Sequence, residues 1–255
     1  MNMKGICSVS GLTFKEGLRE RIFHGIFILF LFILFLNFLL SQMAYGEREK
    51  VLCDVGLAGI ELTGIIILLY FLVNSFFREK ETKMLEVYLV RFSRVSFIWG
   101  RFLGASLVAG VFLLLGLISL SVLLFLNNAF YFSLILGVYF IFLKLLIILA
   151  FGLLFSTFIS SQTLAYLLSL FVYIAGSSAH NALEIVSHRG SKISQILFKY
   201  FYYLLPNLDR LEIKLMLTYG RLPPISYVLS ATLYTLTYIC FLLIVSLLVF
   251  QKRQW

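Results

Sequence analysis

The stretch FYFSLILGVYFIFLKLLIILAFGLLFSTF, residues 130–158, contains a single Asp, Glu, Lys or Arg residue, Lys144. Roughly 20 apolar residues in a helix cross a hydrocarbon core about 30 Å thick, so this run is long enough to span a bilayer. A barrel strand is about ten residues long and alternates apolar with polar positions, a pattern that the continuous apolar run does not show. A lipid-exposed segment must also satisfy its own backbone groups, which a helix does. Working outward, similar runs at 22–43, 55–77, 102–126, 162–178 and 225–250 predict five further spans, and Glu61 and Lys144 are the only Asp, Glu, Lys or Arg residues across all six.

The whole chain agrees with this reading. Of its 255 residues, 61% are hydrophobic and 13% charged, with a mean hydropathy of +1.00, against about 25% charged in soluble domains. The expected fold is an all-α integral membrane protein whose residues 1–255 form a single transmembrane domain. The first run follows Lys4, Lys15, Arg19 and Arg21, as a signal peptide would. It starts late, exceeds a signal core of roughly 7–15 residues and leads into another span, so it reads as an uncleaved helix.

Lys and Arg near span ends set orientation. Twelve lie on one side: Lys4, Lys15, Arg19, Arg21, Arg78, Lys80, Lys83, Arg91, Arg94, Arg101, Lys252 and Arg253. Eight lie on the other, six of them in the long segment 179–224. This bias predicts both chain ends in the cytoplasm. The formal charge of +9 is expected to meet anionic lipid rather than nucleic acid. Cys7, Cys53 and Cys240 show neither a CxxC nor a zinc-ligand spacing, and neither a disulfide nor a metal is assigned to them.

Three segments outside the spans carry pattern. Residues 8–21 place Phe14 and Leu18 four apart, ahead of Ile22, with charges largely on other faces, predicting an interfacial helix capped by Ser10 or Thr13. Residues 79–98 place Met84, Leu85, Tyr88, Leu89 and Phe92 on one stripe after a mixed-charge start, predicting a cytoplasmic amphipathic helix that docks on the membrane, the bundle or a partner. Residues 179–224 predict outer amphipathic helices or a partly re-entrant cap, broken at Pro206, Pro223 and Pro224.

Enzyme signatures are largely absent: the chain contains no GxxxxGK[ST], HExxH or GxSxG. If the protein uses ATP, another polypeptide must bind it. His180, Glu184 and His188 share four-residue intervals and would align on a helix face, but a wet surface helix explains them more simply than a metal or hydrolytic site. Glu61 and Lys144 are candidate functional residues because ionisable groups inside spans are costly. Counted from the expected outer span ends, they lie about 9 Å and 21 Å deep; they are not expected to pair, and Glu61 is expected near water. Ala105 with Ala109, and Ser106 with Gly110, form small-xxx-small pairs suited to close helix packing.

Residues 79–104 offer a local match: Glu79, Glu81 and Thr82, then Leu85 and Leu89, then Phe92, Arg94, Phe97 and Ile98, then Gly100, Arg101 and Gly104. The order resembles the type-2 ABC transporter permeases, particularly the copper-maturation permease-like subgroup. Members typically show a Glu-rich start, Thr, a Leu-rich helix, Pro-x-x-Arg, an apolar pair and Gly-Lys-x-x-Gly. Phe92 stands where Pro is usual, so the helix is expected to run on, and Arg101 replaces Lys with its charge kept. The stretch YYLLPNLDRLE is similar to the Leu-Pro-Asn stretch before the family's last span.

The resemblance implies a permease subunit of an exporter in a prokaryotic plasma membrane. It also implies a homodimer, or a pair with a related permease, joined to a separate ATP-binding subunit that carries ATP and Mg, with no cofactor on this chain. The segment 79–98 would then be the coupling helix. Glu79, Glu81, Glu86 and Arg94 would make its polar contacts, and Met84, Leu85, Tyr88 and Leu89 would form its apolar anchor. An ion-coupled secondary transporter using Glu61 or Lys144, and an intramembrane enzyme built on His180, Glu184 and His188, are the alternatives.

Overall fold

The computed structural model describes residues 3–19, 35, 39, 48–126, 133–189, 205–218 and 220–252. Among them the structure is helical with no strand: α1 (Met3–Arg19), α2 (Arg48–Glu81), α3 (Met84–Arg91), α4 (Arg94–Leu126), α5 (Leu134–Phe158), α6 (Gln162–Arg189), a 3-10 turn (Leu208–Leu211), α7 (Lys214–Thr218) and α8 (Ile225–Lys252). Four of these, α2, α4, α5 and α8, are long and apolar enough to cross a membrane. The protein is therefore an all-α, membrane-embedded bundle. In α6 the apolar part is Gln162–Ser178. The expected first span, 22–43, falls outside the described residues apart from Phe35 and Leu39, and so does His24.

Helix starts differ from those of the apolar windows that predict them, α2 and α4 starting earlier and α5 later. The α2 helix begins at Arg48 rather than near 55, α4 at Arg94 rather than near 102, and α5 at Leu134 rather than near 130. A helix of 34 residues such as α2 is about 51 Å long and stands well clear of a 30 Å core. Its polar turns lie outside the window that hydropathy detects.

At the centre is α5, packed against α2, α4, α6 and α8. It is apolar on every side, as a helix surrounded by other helices must be, and Phe140, Ile147, Leu149 and Leu153 on it are buried. The outer faces of α4 and α8 instead display Leu114, Ile118, Val122 and Phe125, and Leu229, Leu233, Leu236 and Ile244. Such stripes suit acyl chains as solvent.

The packing of α1 corrects the face and the caps expected for the helix at 8–21. It runs alongside the start of α4 and in the same direction: Gly5 meets Ser96, Val9 meets Gly100, Thr13 meets Gly104 and Gly17 meets Val108. The buried stripe is Gly5, Ile6, Val9, Thr13 and Gly17, not Phe14 and Leu18, and Leu18 is exposed. Glycine permits this contact. A Cβ on Gly104 would lie 2.5 Å from Thr13 Cβ and 2.8 Å from the Ser10 carbonyl oxygen. Ser10 and Thr13 are not caps; their hydroxyls donate back to the Cys7 and Val9 carbonyls inside α1. The two small-residue pairs on α4 divide: Ala105 and Ala109 are buried, whereas a Cβ on Gly110 would meet nothing within 4 Å.

The expected helix at 79–98 is three pieces. Glu79 and Glu81 complete α2, α3 covers Met84–Arg91, and Arg94 opens α4. Lys83 marks the first break with φ 55°, in the left-handed region, a conformation that costs a non-glycine residue of order 1–3 kcal/mol. Phe92 marks the second in extended conformation, with its N–H bonded to the Tyr88 carbonyl oxygen. The helix thus ends at Phe92 without proline, and does not run on.

Replacing Gly104 by Ala should lower stability by about 1–3 kcal/mol through overpacking, while Gly110→Ala should be neutral or stabilising through helix propensity. Thermal unfolding of the two variants in detergent checks this, and equal midpoints would contradict the α1–α4 contact.

Candidate functional site

Two buried charged centres lie along α2, one near its end at Glu79 and one at Glu61, 13 residues after its start. The first is built on Arg101, one helical turn before Gly104 and 2% exposed. Its Nη1 donates to Glu79 Oε1 at 2.8 Å, to Glu16 Oε2 at 3.2 Å and to Thr13 Oγ1 at 3.4 Å. Its Nη2 donates to Ser75. Ser75 and Glu79 are four apart on α2, and Thr13 and Glu16 three apart on α1, so each helix presents a hydroxyl and a carboxylate on one face. Arg78 also pairs with Glu16. The fork of one guanidinium therefore ties α1, α2 and α4 together.

This geometry separates the residues expected to form one coupling surface. Glu79 is buried and turned to Arg101. Glu81, Met84 and Glu86 are exposed. Tyr88 is half-buried, its ring 6.1 Å from Phe97, and Phe97 stacks on Phe250 of α8 at 5.8 Å. Burial pushes the Tyr88 phenol above its usual pKa range, with the Glu79 charge adding to the effect. Arg94 Nη1 donates to the Gln251 carbonyl oxygen at 2.6 Å, binding the start of α4 to the last turn of α8. The side chains of Leu85 and Leu89 lie outside those described.

The second centre overturns the expectation that Glu61 and Lys144 are too far apart to pair. Lys144 Nζ is 3.1 Å from Glu61 Oε1, and both side chains are 1% exposed. Lys144 also pairs with Glu212, and Lys214 Nζ lies 2.5 Å from Glu61 Oε2 and 3.3 Å from Glu212 Oε1. The four groups form a ring of alternating charge, and Tyr173 donates to Glu61 Oε1 at 3.1 Å. Helix starts explain the miss: Glu61 lies 13 residues after Arg48 and Lys144 10 after Leu134, about 20 Å and 15 Å along their helices. Glu61 is buried and does not face water.

Glu212 and Lys214 reach the ring because the segment after Pro206 folds back against the bundle. Leu208, Leu211, Ile213 and Leu217 are buried along it, and a Cβ on Gly176 of α6 would lie 2.8 Å from the Pro206 carbonyl oxygen. Burial by itself would lower the Lys214 pKa, but the Glu61 and Glu212 carboxylates outweigh it and hold the ammonium above its ordinary value. The pairing of 212 and 214 with 61 and 144 was hidden from sequence patterns, since it joins residues far apart in the chain. Its one available signal was the Glu-x-Lys spacing inside an otherwise apolar stretch.

Among the described residues no group of three or more His, Cys, Asp or Glu is placed to hold a metal. The side chains of His180, Glu184 and His188, on α6, are outside those described. No protein-family model matches the chain, and no curated protein does.

Removing one member of a buried ion pair typically costs about 3–5 kcal/mol. Arg101→Ala should lose stability on that scale, and Arg101→Lys should recover only part, because an ammonium cannot reproduce the fork. Thermal unfolding of both variants tests this, and wild-type stability in Arg101→Ala would refute the hub. In the ring, Glu61→Gln and Lys144→Gln should couple by about 0.5–3 kcal/mol in a double-mutant cycle; strictly additive effects would show that the pair contributes nothing.

Proposed function

We propose that the chain is the permease subunit of a type-2 ABC transporter, working as an exporter with a separate ATP-binding subunit that supplies ATP and Mg. In this reading it spans a prokaryotic plasma membrane six times, with the α3 end in the cytoplasm, and functions as a homodimer or with a related permease. The supporting observation is the mounting of α3. This eight-residue helix sits between two membrane-length helices, and its Tyr88 enters an aromatic cluster with Phe97 and Phe250.

A force on α3 is therefore delivered to α2 and α4 through the chain, to α8 through Phe97–Phe250 and Arg94–Gln251, and to α1 through Arg101. Rigid mounting of this kind suits transmission of a rigid-body motion. On this reading the residues of the motif divide their labour. Glu81, Met84 and Glu86 face outward and are the proposed contacts with the ATPase, together with the apolar positions Leu85 and Leu89. Glu79, Tyr88 and Arg94 fasten the helix to its own bundle. Basic flanks at this end favour the cytoplasmic side.

An ion-coupled transporter needs a buried group that gains and loses a proton in its cycle. Glu61 is held by two ammonium groups and the Tyr173 hydroxyl, which favours a fixed carboxylate and counts against that alternative.

Isolated from native membranes in mild detergent, the tagged chain should carry an ATPase. The double reversal Glu81→Lys/Glu86→Lys should weaken that association by about tenfold or more, the scale of one to two kcal/mol for two charged contacts. A preparation without ATP hydrolysis, or one indifferent to the reversal, would overturn the proposal.

A further inference from the structure

A cavity of about 550 Å³ opens between α1 and α3, lined by Cys7, Ser8, Lys15, Tyr88, Arg91 and Phe92, with Gly11 and Leu12 completing its wall. Its size falls within the roughly 300–1,000 Å³ of small-molecule sites. Lys15 and Arg91 are exposed, and neither forms an ion pair with a carboxylate among the described residues. The acidic neighbour that could neutralise Lys15, Glu16, is engaged by Arg78 and Arg101. The Ser8 hydroxyl donates to the Lys4 carbonyl oxygen at 2.9 Å, whereas the Tyr88 hydroxyl has no hydrogen-bond partner among the described residues. The cavity thus offers two cations and a free phenolic donor, and no carboxylate lines it.

We propose that this cavity binds the phosphate-bearing headgroup of an anionic phospholipid. Two observations favour a lipid over a soluble anion. Leu12, in the cavity wall, is 47% exposed. Leu12 therefore gives the basic opening an apolar edge against which an acyl chain can lie. The surrounding end of the molecule is also strongly basic, with ten Lys or Arg against four Glu among the described residues of α1, of 76–104 and of the last turn of α8, and such juxtamembrane charge draws anionic lipid. Bound there, a lipid would bridge the α1 and α3 surfaces. The proposal rests on membrane embedding and not on the transport reading, so either can fail without the other.

Native mass spectrometry of the detergent-purified chain tests it, with phosphatidylglycerol and phosphatidylcholine as probes. The wild type should retain phosphatidylglycerol preferentially. Lys15→Gln/Arg91→Gln should weaken that retention roughly 30-fold, since each basic residue near an anionic surface is worth about a factor of five. Lys15→Arg/Arg91→Lys should preserve it, as should the control Lys83→Gln/Lys252→Gln, which removes charge at the same end outside the cavity. Equal retention by the cavity variant and the wild type, or equal loss in the control, would overturn the site. Displacement of the lipid by glycerol 3-phosphate would overturn the lipid assignment in favour of a soluble phosphate ester. Unchanged lipid retention with loss of a bound protein subunit in the cavity variant would make the cavity a protein interface instead.

Discussion

The constraint on which the structure depends is that a charge taken out of water must find its opposite within the bundle. Burying an ion costs several kcal/mol even after relaxation, and only close, multiple pairing offsets it. The chain meets this twice. Arg101 is surrounded by Glu79, Glu16, Thr13 and Ser75 from two other helices. Lys144 is met by Glu61 and Glu212. Each centre joins elements that apolar contact alone would leave free to slide, because ion pairs with defined geometry fix register where leucine against leucine does not.

Packing and pairing depend on each other at the α1–α4 seam. The guanidinium of Arg101 reaches Thr13 and Glu16 only because Gly100 and Gly104, on either side of it, let the α1 backbone come close. Without a hydrophobic driving force between helices in lipid, close backbone approach and polar contacts are what hold them together. The seam uses both over the same turns: Val9 rests on Gly100, Thr13 on Gly104, and Glu16 completes the Arg101 site.

What could be read from the sequence follows from which forces are local. Apolar runs revealed α2, α4, α5 and α8, because span length is a property of a single segment. The starts of α2 and α4 were misjudged because a helix that protrudes from a bilayer does so through polar turns that hydropathy discards. The early start of α2 and the late start of α5 at Leu134 together bring Glu61 and Lys144 level. The break at Phe92 escaped notice because a lone phenylalanine neither forbids a helix nor marks a turn, and Tyr88 of α3 packs on Phe97 beyond it. Glu79 looked like a surface charge, since its partner Arg101 is 22 positions away and lies across a helix break.

The two centres are also related through α2. Glu61 and Glu79 are 18 residues apart, five turns of a 3.6-residue helix and about 27 Å of rise. They therefore fall on one stripe of α2, separated by nearly the thickness of a hydrocarbon core. The intervening stretch of α2, with Ile65, Leu68, Leu69 and Leu72 fully buried, is packed tightly enough to act as a rod. A displacement of α3 that turned α2 about its axis would shift both carboxylates together. It would pull Glu79 from Arg101 at one end and Glu61 from Lys144 and Lys214 at the other. The folded-back segment carrying Glu212 and Lys214 would thereby sense an event about 27 Å along α2 without any contact with it.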